Sequence, residues 1–220
     1  MHGLRMSYAG CERSRDRAGK GPMSTGVVNP GAGRPFHRIA VVGIGNVLLG
    51  DDGFGPLAVE MFRRLYQCDS NVEILDLGTP GLDLAPYLYD TDLVVIADAI
   101  YPHKEEKPGT LCVYCEDDLG SSRAQLRLTS HDPGVQESLA QLRLAGHAPS
   151  EVIVVGVVPE SCGLGTGISL SVLNTCLAAV DTIARLLVER SIDCRRRYAP
   201  LQRSLWWLSG EHGRRDGFDS

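Results

Sequence analysis

From His37 onward, apolar residues follow two alternating patterns. Short unbroken runs rich in Val and Ile alternate with longer segments in which apolar residues recur at spacings of three and four. The first pattern is typical of strands buried on both faces, and the second of helices with one apolar face. Predicted strands cover 39–43, 72–75, 93–97, 110–114 and 152–158, and predicted helices cover 56–65, 82–89, a segment through Leu139 and Leu142, and 169–189. Strands alternating with helices predict an α/β domain with a parallel sheet covered on both faces.

The two ends of the chain lack this periodicity and differ in charge from the middle. Residues 1–36 are rich in Gly, Arg, Ser and Pro, a composition that predicts a disordered basic extension. We expect residues 37–190 to form the single domain and residues 191–220 to form a basic, poorly ordered tail. Seven Lys/Arg oppose two Asp/Glu in 1–38, and seven oppose four in 190–220, so the net charge of −5 leaves −13 on 39–189. An acidic domain argues against nucleic acid as a partner.

Length and composition narrow the class of protein further. The chain has 220 residues, of which 43% are hydrophobic, and no apolar run reaches the ~18 residues of a membrane span. No apolar stretch follows the basic N-terminus, as it would in a secretory signal. Seven scattered cysteines predict reduced thiols, and a CxxC at Cys112 and Cys115 lies in a predicted strand that points the two side chains to opposite faces. We expect a cytoplasmic monomer that contacts no membrane.

A glycine-rich segment, Gly43-Ile44-Gly45-Asn46-Val47-Leu48-Leu49-Gly50-Asp51-Asp52-Gly53-Phe54-Gly55, joins the first strand to the first helix. A GxG after a buried strand is one part of a dinucleotide-binding fingerprint. Leu48 stands where that fingerprint has its third glycine, and two adjacent acids would repel a pyrophosphate. The acids favour a cation instead, although either could simply cap the following helix.

Ligands of open parallel sheets bind beyond the carboxyl ends of the strands. Asp52 follows the first predicted strand, Asp76 follows the second, Asp98 ends the third, and His131 lies in a loop before a helix. Two carboxylates and an imidazole at one edge predict a site for a borderline divalent metal. Asp98 is the sharpest indication, because a carboxylate that ends an apolar strand is costly to bury without a cation. For Asp76 an Asx turn is the alternative, and for His131 an ordinary loop position.

Five segments, taken together and in order, resemble the hydrogenase maturation proteases, which process the large subunit of [NiFe] hydrogenases. They are IAVVGIGNVLLGDDGFGPLAVE, VEILDLGTPG, LVVIADAI, TSHDPG and VIVVGVVPES. The resemblance covers about 37–190. It implies a doubly wound three-layer sandwich with a mostly parallel, five-stranded twisted sheet. A spore-germination protease shares this fold.

The resemblance also implies a substrate and a set of site residues. Nickel would be recognised by Asp52, Asp98 and His131, and Asp76 would belong to the cleavage region. The metal would arrive in the hydrogenase large-subunit precursor, whose C-terminal extension the protease removes. Catalytic roles are thereby expected for Asp52, Asp76 and Asp98.

The sequence leaves more than one mechanism of peptide cleavage open. The sequence contains neither a nucleophile elbow nor an HExxH motif. The substrate metal could polarise the scissile carbonyl, or Asp76 or Asp52 could activate a water molecule. A nickel-binding chaperone that cuts nothing, and a nucleotide-binding Rossmann-like module, are the alternative functions.

Overall fold

The computed structural model describes residues 6–8, 36–101, 106–115, 127–128 and 133–197. The strands are β1 (Met6–Tyr8), β2 (Ile39–Ile44), β3 (Tyr66–Cys68), β4 (Val72–Gly78), β5 (Leu93–Tyr101), β6 (Leu111–Cys115), β7 (Arg127–Leu128), β8 (Glu151–Val157) and β9 (Cys194–Arg196). The helices are α1 (Phe54–Leu65), α2 (Ala85–Leu88), α3 (Pro133–Ala145) and α4 (Leu170–Val188), and 3-10 turns cover Gly50–Gly53 and Gly81–Leu84.

Five strands build the main sheet in the spatial order β6, β8, β5, β2, β4. The last four are mutually parallel, and β6 runs antiparallel to β8. Two short strands are added to this sheet: β1 lies outside β6, and β7 pairs with the end of β5. The predicted α/β fold with a mostly parallel five-stranded sheet is confirmed.

The sheet is buried on both faces, as its unbroken apolar runs predict. Along β2, Ile39 and Val41 belong to a core beneath α1 and α4, whereas Ala40 and Val42 belong to a second core beneath α2 and α3. The strand therefore contributes to both layers through its alternating side chains. The result is the three-layer arrangement of helices, sheet and helices.

Two short strands lie in segments that the sequence analysis predicts to be disordered or poorly ordered. Met6–Tyr8, inside the predicted disordered extension, pair with the edge of β6, and Cys194–Arg196, inside the predicted tail, pair with β3. Backbone hydrogen bonds hold these three-residue strands, and so short a segment shows no recognisable periodicity. The ordered domain continues to residue 197; residues 9–35 and 198–220 lie outside the described part of the chain.

The strands β4 and β5 extend beyond their apolar runs, to Gly78 and Tyr101. Asp76 consequently lies within β4 rather than after it, and Asp98 lies three residues before the end of β5 rather than at its end, which corrects the sequence prediction. Backbone pairing continues past Ala97, where the predicted strand ends, since Asp98 and Ala99 still pair with β8. Asp98 nevertheless lies beyond the pairing with β2, which stops at Ala97.

Helix α4 is unusually long and apolar for this chain. In the described residues α4 is the one helix long and apolar enough to cross a membrane, and 56% of its most apolar 18-residue window is buried inside the protein.

Five of the cysteines in the described residues are free thiols: Cys68, Cys112, Cys162, Cys176 and Cys194. Cys115 is disulfide-bonded, so the prediction of reduced thiols is wrong for that residue. Because Cys112 is free, the CxxC does not form an internal disulfide.

Candidate active site

The site lies where the winding of the sheet changes direction. From β2 the chain continues to β4 on one side, while β5 leads to β8 on the other. A crevice opens at such a point beyond the carboxyl ends of the two central strands. The 3-10 turn Gly50–Gly53, which carries Asp52, lies against β5, which carries Asp98. The topology thus brings these two predicted residues to one edge.

Two glycines allow the first turn of α1 to approach this edge closely. Gly45 has φ +139°, and a Cβ there would lie 1.8 Å from the carbonyl oxygen of Asp52. A Cβ on Gly55 would lie 2.1 Å from the carbonyl oxygen of Ile44 and 2.5 Å from that of Ala97. The glycines of this segment are therefore explained by close backbone contact between loop, helix and strands.

Asp51 is a buried structural carboxylate. Its Oδ2 accepts hydrogen bonds from the backbone N–H of Glu160 (2.8 Å) and Ser161 (3.2 Å) and from the Ser169 hydroxyl (2.9 Å). Its Oδ1 accepts the backbone N–H of Ser169 at 2.6 Å. Four donors leave little capacity for a ligand. Asp51 ties the β2–α1 loop to the segment between β8 and α4.

Asp52, the next residue, is equally buried at 1% exposed but has different surroundings. Its Oδ2 accepts the backbone N–H of Asn46 at 2.8 Å. Its Oδ1 is buried and receives no hydrogen bond from any residue in the described part of the chain. A buried carboxylate oxygen without a donor is costly unless a proton or a cation meets it. Of the two adjacent acids, Asp52 is the one that can take a ligand.

Asp98 is also 1% exposed. Two side chains that the sequence analysis missed, Cys162 and Tyr101, lie within electrostatic reach of Asp52. Cys162 follows β8, and Tyr101 ends β5. Burial raises the pKa of Cys162, and the charges of Asp52, Asp51 and Asp98 raise it further, while a hydrogen bond from Tyr101 opposes them. One thiol thus lies within electrostatic reach of both predicted metal-binding aspartates. The aspartates were selected because they lie at or after the ends of strands. The same criterion would have selected Cys162, which follows β8.

A cavity of about 280 Å³ opens beside Asp51. Glu160, Ser161 and Ser169 line it, together with the glycine-rich residues 163–167. Leu164 is 92% exposed on this loop. Backbone hydrogen bonds join the loop to the β2–α1 segment, from Gly50 N–H to the Gly165 oxygen (2.8 Å) and from Gly165 N–H to the Leu48 oxygen (2.9 Å).

Asp76 is not buried with Asp52 and Asp98. Asp76 is exposed on β4, opposite Gly43 of β2, and its Oδ1 accepts the backbone N–H of Gly78 at 3.1 Å. The Asx hydrogen bond predicted as its alternative role is present. His131 lies outside the described residues. No three His, Cys, Asp or Glu side chains within the described ranges form a metal-binding group, so the three-residue metal site stays a prediction.

Comparison with known proteins identifies the family. Residues 56–186 match the family model of the hydrogenase maturation proteases. The chain is also 35% identical over 169 residues to the hydrogenase expression/formation protein HupD of Bradyrhizobium diazoefficiens, covering 76% of this chain and 87% of that protein. The chain belongs to the hydrogenase maturation protease family.

Further members of the family agree in sequence and in fold. The hydrogenase 2 maturation protease of Escherichia coli is 32% identical, over 71% of this chain and 94% of its own. The solved structure of the hydrogenase maturating endopeptidase HybD from E. coli has a TM-score of 0.66 at 31% identity, covering 73% of this chain and 98% of that one.

Family membership makes this protein a peptidase. The resemblance seen in its sequence motifs is confirmed, and the two alternatives that involve no cleavage, a nucleotide-binding module and a chaperone, are set aside. Asp51 and Asp52 at the start of α1 also occupy the end of the helix where a dinucleotide would place its phosphates.

Proposed function

We propose that this protease removes the C-terminal extension of a nickel-loaded [NiFe] hydrogenase large-subunit precursor, and that the nickel in the precursor is its recognition signal. The observation that carries the proposal is Asp52 Oδ1, buried and without a hydrogen bond from the described residues. The neighbouring Asp51 has four donors. This contrast supports a cationic ligand at Asp52.

Asp52, Asp98 and His131 are the proposed contacts to the substrate metal. Two carboxylates and an imidazole suit a borderline divalent ion and leave coordination positions for the precursor's own ligands. A precursor without nickel would leave buried carboxylates uncompensated, and its binding would be weaker for that reason. The metal thereby becomes a checkpoint, since it adds binding energy only when it is present.

The cavity beside Asp51 is the proposed path of the precursor's chain near the site. Its wall includes residues 163–167. Leu164 is 92% exposed there and can contact a bound peptide. Asp51 serves this path indirectly, because its bonds to Glu160, Ser161 and Ser169 hold both ends of the loop.

Asp76 is the proposed base that activates the attacking water. Its carboxylate is exposed and accepts one backbone hydrogen bond, which leaves capacity for a water molecule. Asp52 and Asp98 would act at the reacting centre through the substrate metal. Cytoplasmic location and the monomeric state remain predictions.

The test is cleavage of precursor purified with and without nickel. Intact mass of the precursor before and after incubation with the protease reports removal of the extension directly. We expect shortening of the nickel-loaded precursor alone. Equal shortening of both preparations would contradict the checkpoint, and shortening of neither would contradict the proposed substrate.

Variants of the proposed metal contacts extend the same assay. Asp98→Asn and His131→Ala should abolish shortening while the circular dichroism spectrum stays that of the parent protein. Unchanged processing by either variant would remove that residue from the site. Leu144→Ala, at a 92% exposed position of α3 that does not line the cavity, is the matched control with the metal contacts intact.

A further inference from the structure

Two free cysteines far apart in sequence face each other across the small sheet formed by β3 and β9. Cys68 is the register partner of Cys194. The flanking hydrogen bonds run from Asp69 N–H to the Asp193 oxygen (3.0 Å) and from Arg197 N–H to the Leu65 oxygen. Hydrogen-bonded and non-hydrogen-bonded pairs alternate in an antiparallel ladder, so Cys68 and Cys194 form a non-hydrogen-bonded pair.

This type of pair suits a disulfide. Opposed residues in it have Cα atoms about 4.5 Å apart, inside the roughly 4.4–6.8 Å that disulfides require. Neither strand needs to shift for the bond to form, because the two side chains already lie on the same face of the ladder.

The two thiols also interact in the reduced state. A hydrogen bond from Cys194 lowers the pKa of Cys68, against the opposing effects of burial and of Asp69 and Asp193. The same hydrogen bond and burial raise the pKa of Cys194. Cys68 is therefore the thiol that ionises first, and Cys194 is the neighbour that can react with it next.

Accessibility separates this pair from the core cysteines. Cys68 and Cys194 are both partly exposed, whereas Cys112 and Cys176 are fully buried. Burial raises the pKa of Cys112 to about 11 and that of Cys176 to about 12. A small oxidant dissolved in water thus reaches Cys68 and Cys194 before the core thiols.

We propose that Cys68 and Cys194 form a redox-modification site that a low-molecular-weight disulfide oxidises to an intramolecular disulfide. The Cys68 thiolate attacks one sulfur of the oxidant, which releases one thiolate and leaves a mixed disulfide. The Cys194 thiol, losing its proton to solvent, then attacks the sulfur of Cys68 and releases the second thiolate. The two cysteines lose two electrons, and the oxidant is reduced to two thiols.

The bond would tether the C-terminal strand to the end of α1. Cys68 lies three residues beyond α1, and Cys194 six residues beyond α4, two helices that pack against each other. In the reduced protein β9 is held to the domain by the short ladder with β3. Oxidation would therefore slow opening of β9 and leave the candidate active site, at the carboxyl edge of the main sheet, unaltered.

The experiment treats the full chain with oxidised glutathione and, in parallel, with excess dithiothreitol. Peptide mapping by mass spectrometry without reduction should find Cys68 linked to Cys194 after the first treatment and not after the second. Hydrogen exchange of residues 194–197 should slow at least several-fold in the oxidised sample.

Three variants make the result decisive. Cys194→Ser should stop at a glutathione adduct on Cys68, and Cys68→Ser should react much more slowly at Cys194. Cys162→Ser, which removes a partly exposed thiol elsewhere, should form the link like the parent protein. Separate glutathione adducts on both cysteines of the parent protein, or a link that forms equally well in concentrated urea, would overturn the proposal.

Discussion

Asp51 and Asp52 are adjacent, equally buried and identical in chemistry, yet their surroundings predict opposite consequences of the same isosteric change. Asp51→Asn replaces one acceptor oxygen with an NH₂ group. All four of its present contacts are donors, three to Oδ2 and one to Oδ1. Whichever way the amide is oriented, its NH₂ group meets at least one backbone N–H that then has no acceptor.

The size of the effect follows from these contacts. One buried donor left without a partner costs about 1–3 kcal/mol, and three hydrogen bonds that become neutral lose roughly 1 kcal/mol each. The smaller desolvation cost of a neutral amide offsets part of this sum. We expect Asp51→Asn to lower the free energy of unfolding by about 3 kcal/mol, which for a domain of this size corresponds to a fall in Tm of roughly 6–12 °C.

For Asp52→Asn the expected loss is much smaller. The amide oxygen can still accept the Asn46 N–H, as Oδ2 does at 2.8 Å, and the NH₂ group replaces an oxygen that receives no hydrogen bond from the described residues. The free energy of unfolding should stay within about 1 kcal/mol of the parent protein. Processing of the nickel-loaded precursor should be lost, because the negative charge proposed to meet the metal is gone.

Urea unfolding followed by circular dichroism measures the first quantity, and intact mass of the precursor measures the second. Each variant is the control for the other, since both remove one negative charge from the same turn. Equal destabilisation by the two changes would refute the assignment of Asp51 as the structural acid. Normal processing by a folded Asp52→Asn variant would refute the role proposed for Asp52.

Three further predictions address other parts of the molecule. Gly45→Ala should destabilise the fold by at least about 3 kcal/mol, since its Cβ would meet the Asp52 carbonyl oxygen; a normal urea midpoint would show that the loop relaxes freely. Burial and the hydrogen bond to Asp181 raise the pKa of Tyr66 from 10.0 to about 12. The stability that this shift contributes is therefore complete below pH 10 and is lost as the pH rises through 12. Tyr66→Phe should remove this alkaline loss of stability from unfolding measurements, and an unchanged pH profile in the variant would contradict the prediction. Asp76→Asn keeps an oxygen for the Gly78 N–H but cannot act as a base, so the variant should fold normally and lose processing. Retained processing would show that Asp76 has only a structural role, in the turn at Gly78.

The order of strands and helices was predictable because burial on both faces leaves a strong local signal. Val94, Val95 and Ile96 are fully buried, alternately against one helical layer and the other, and nothing but an unbroken apolar run satisfies both. The short strands at Met6–Tyr8 and Cys194–Arg196 left no such signal, because three residues are too few to show a periodicity and backbone pairing with distant strands places them.

Some features of the candidate site could likewise be predicted from the sequence, and others could not. Position near strand ends predicted Asp52, Asp76 and Asp98 as site residues, and the structure brings Asp52 and Asp98 to one edge as buried carboxylates. The sequence alone could not separate Asp51 from Asp52. The donors that satisfy Asp51 lie 109, 110 and 118 residues away, and local periodicity carries no information about partners at that distance.

By itself, then, the sequence determined the α/β architecture, the acidic edge and the resemblance to hydrogenase maturation proteases. Only the tertiary structure decided which buried acid is already satisfied, which one can still take a ligand, and that Cys68 and Cys194 meet. The physical reason is that burial is recorded locally in the spacing of apolar residues. Hydrogen-bond partners and facing thiols are brought together only when distant segments pack.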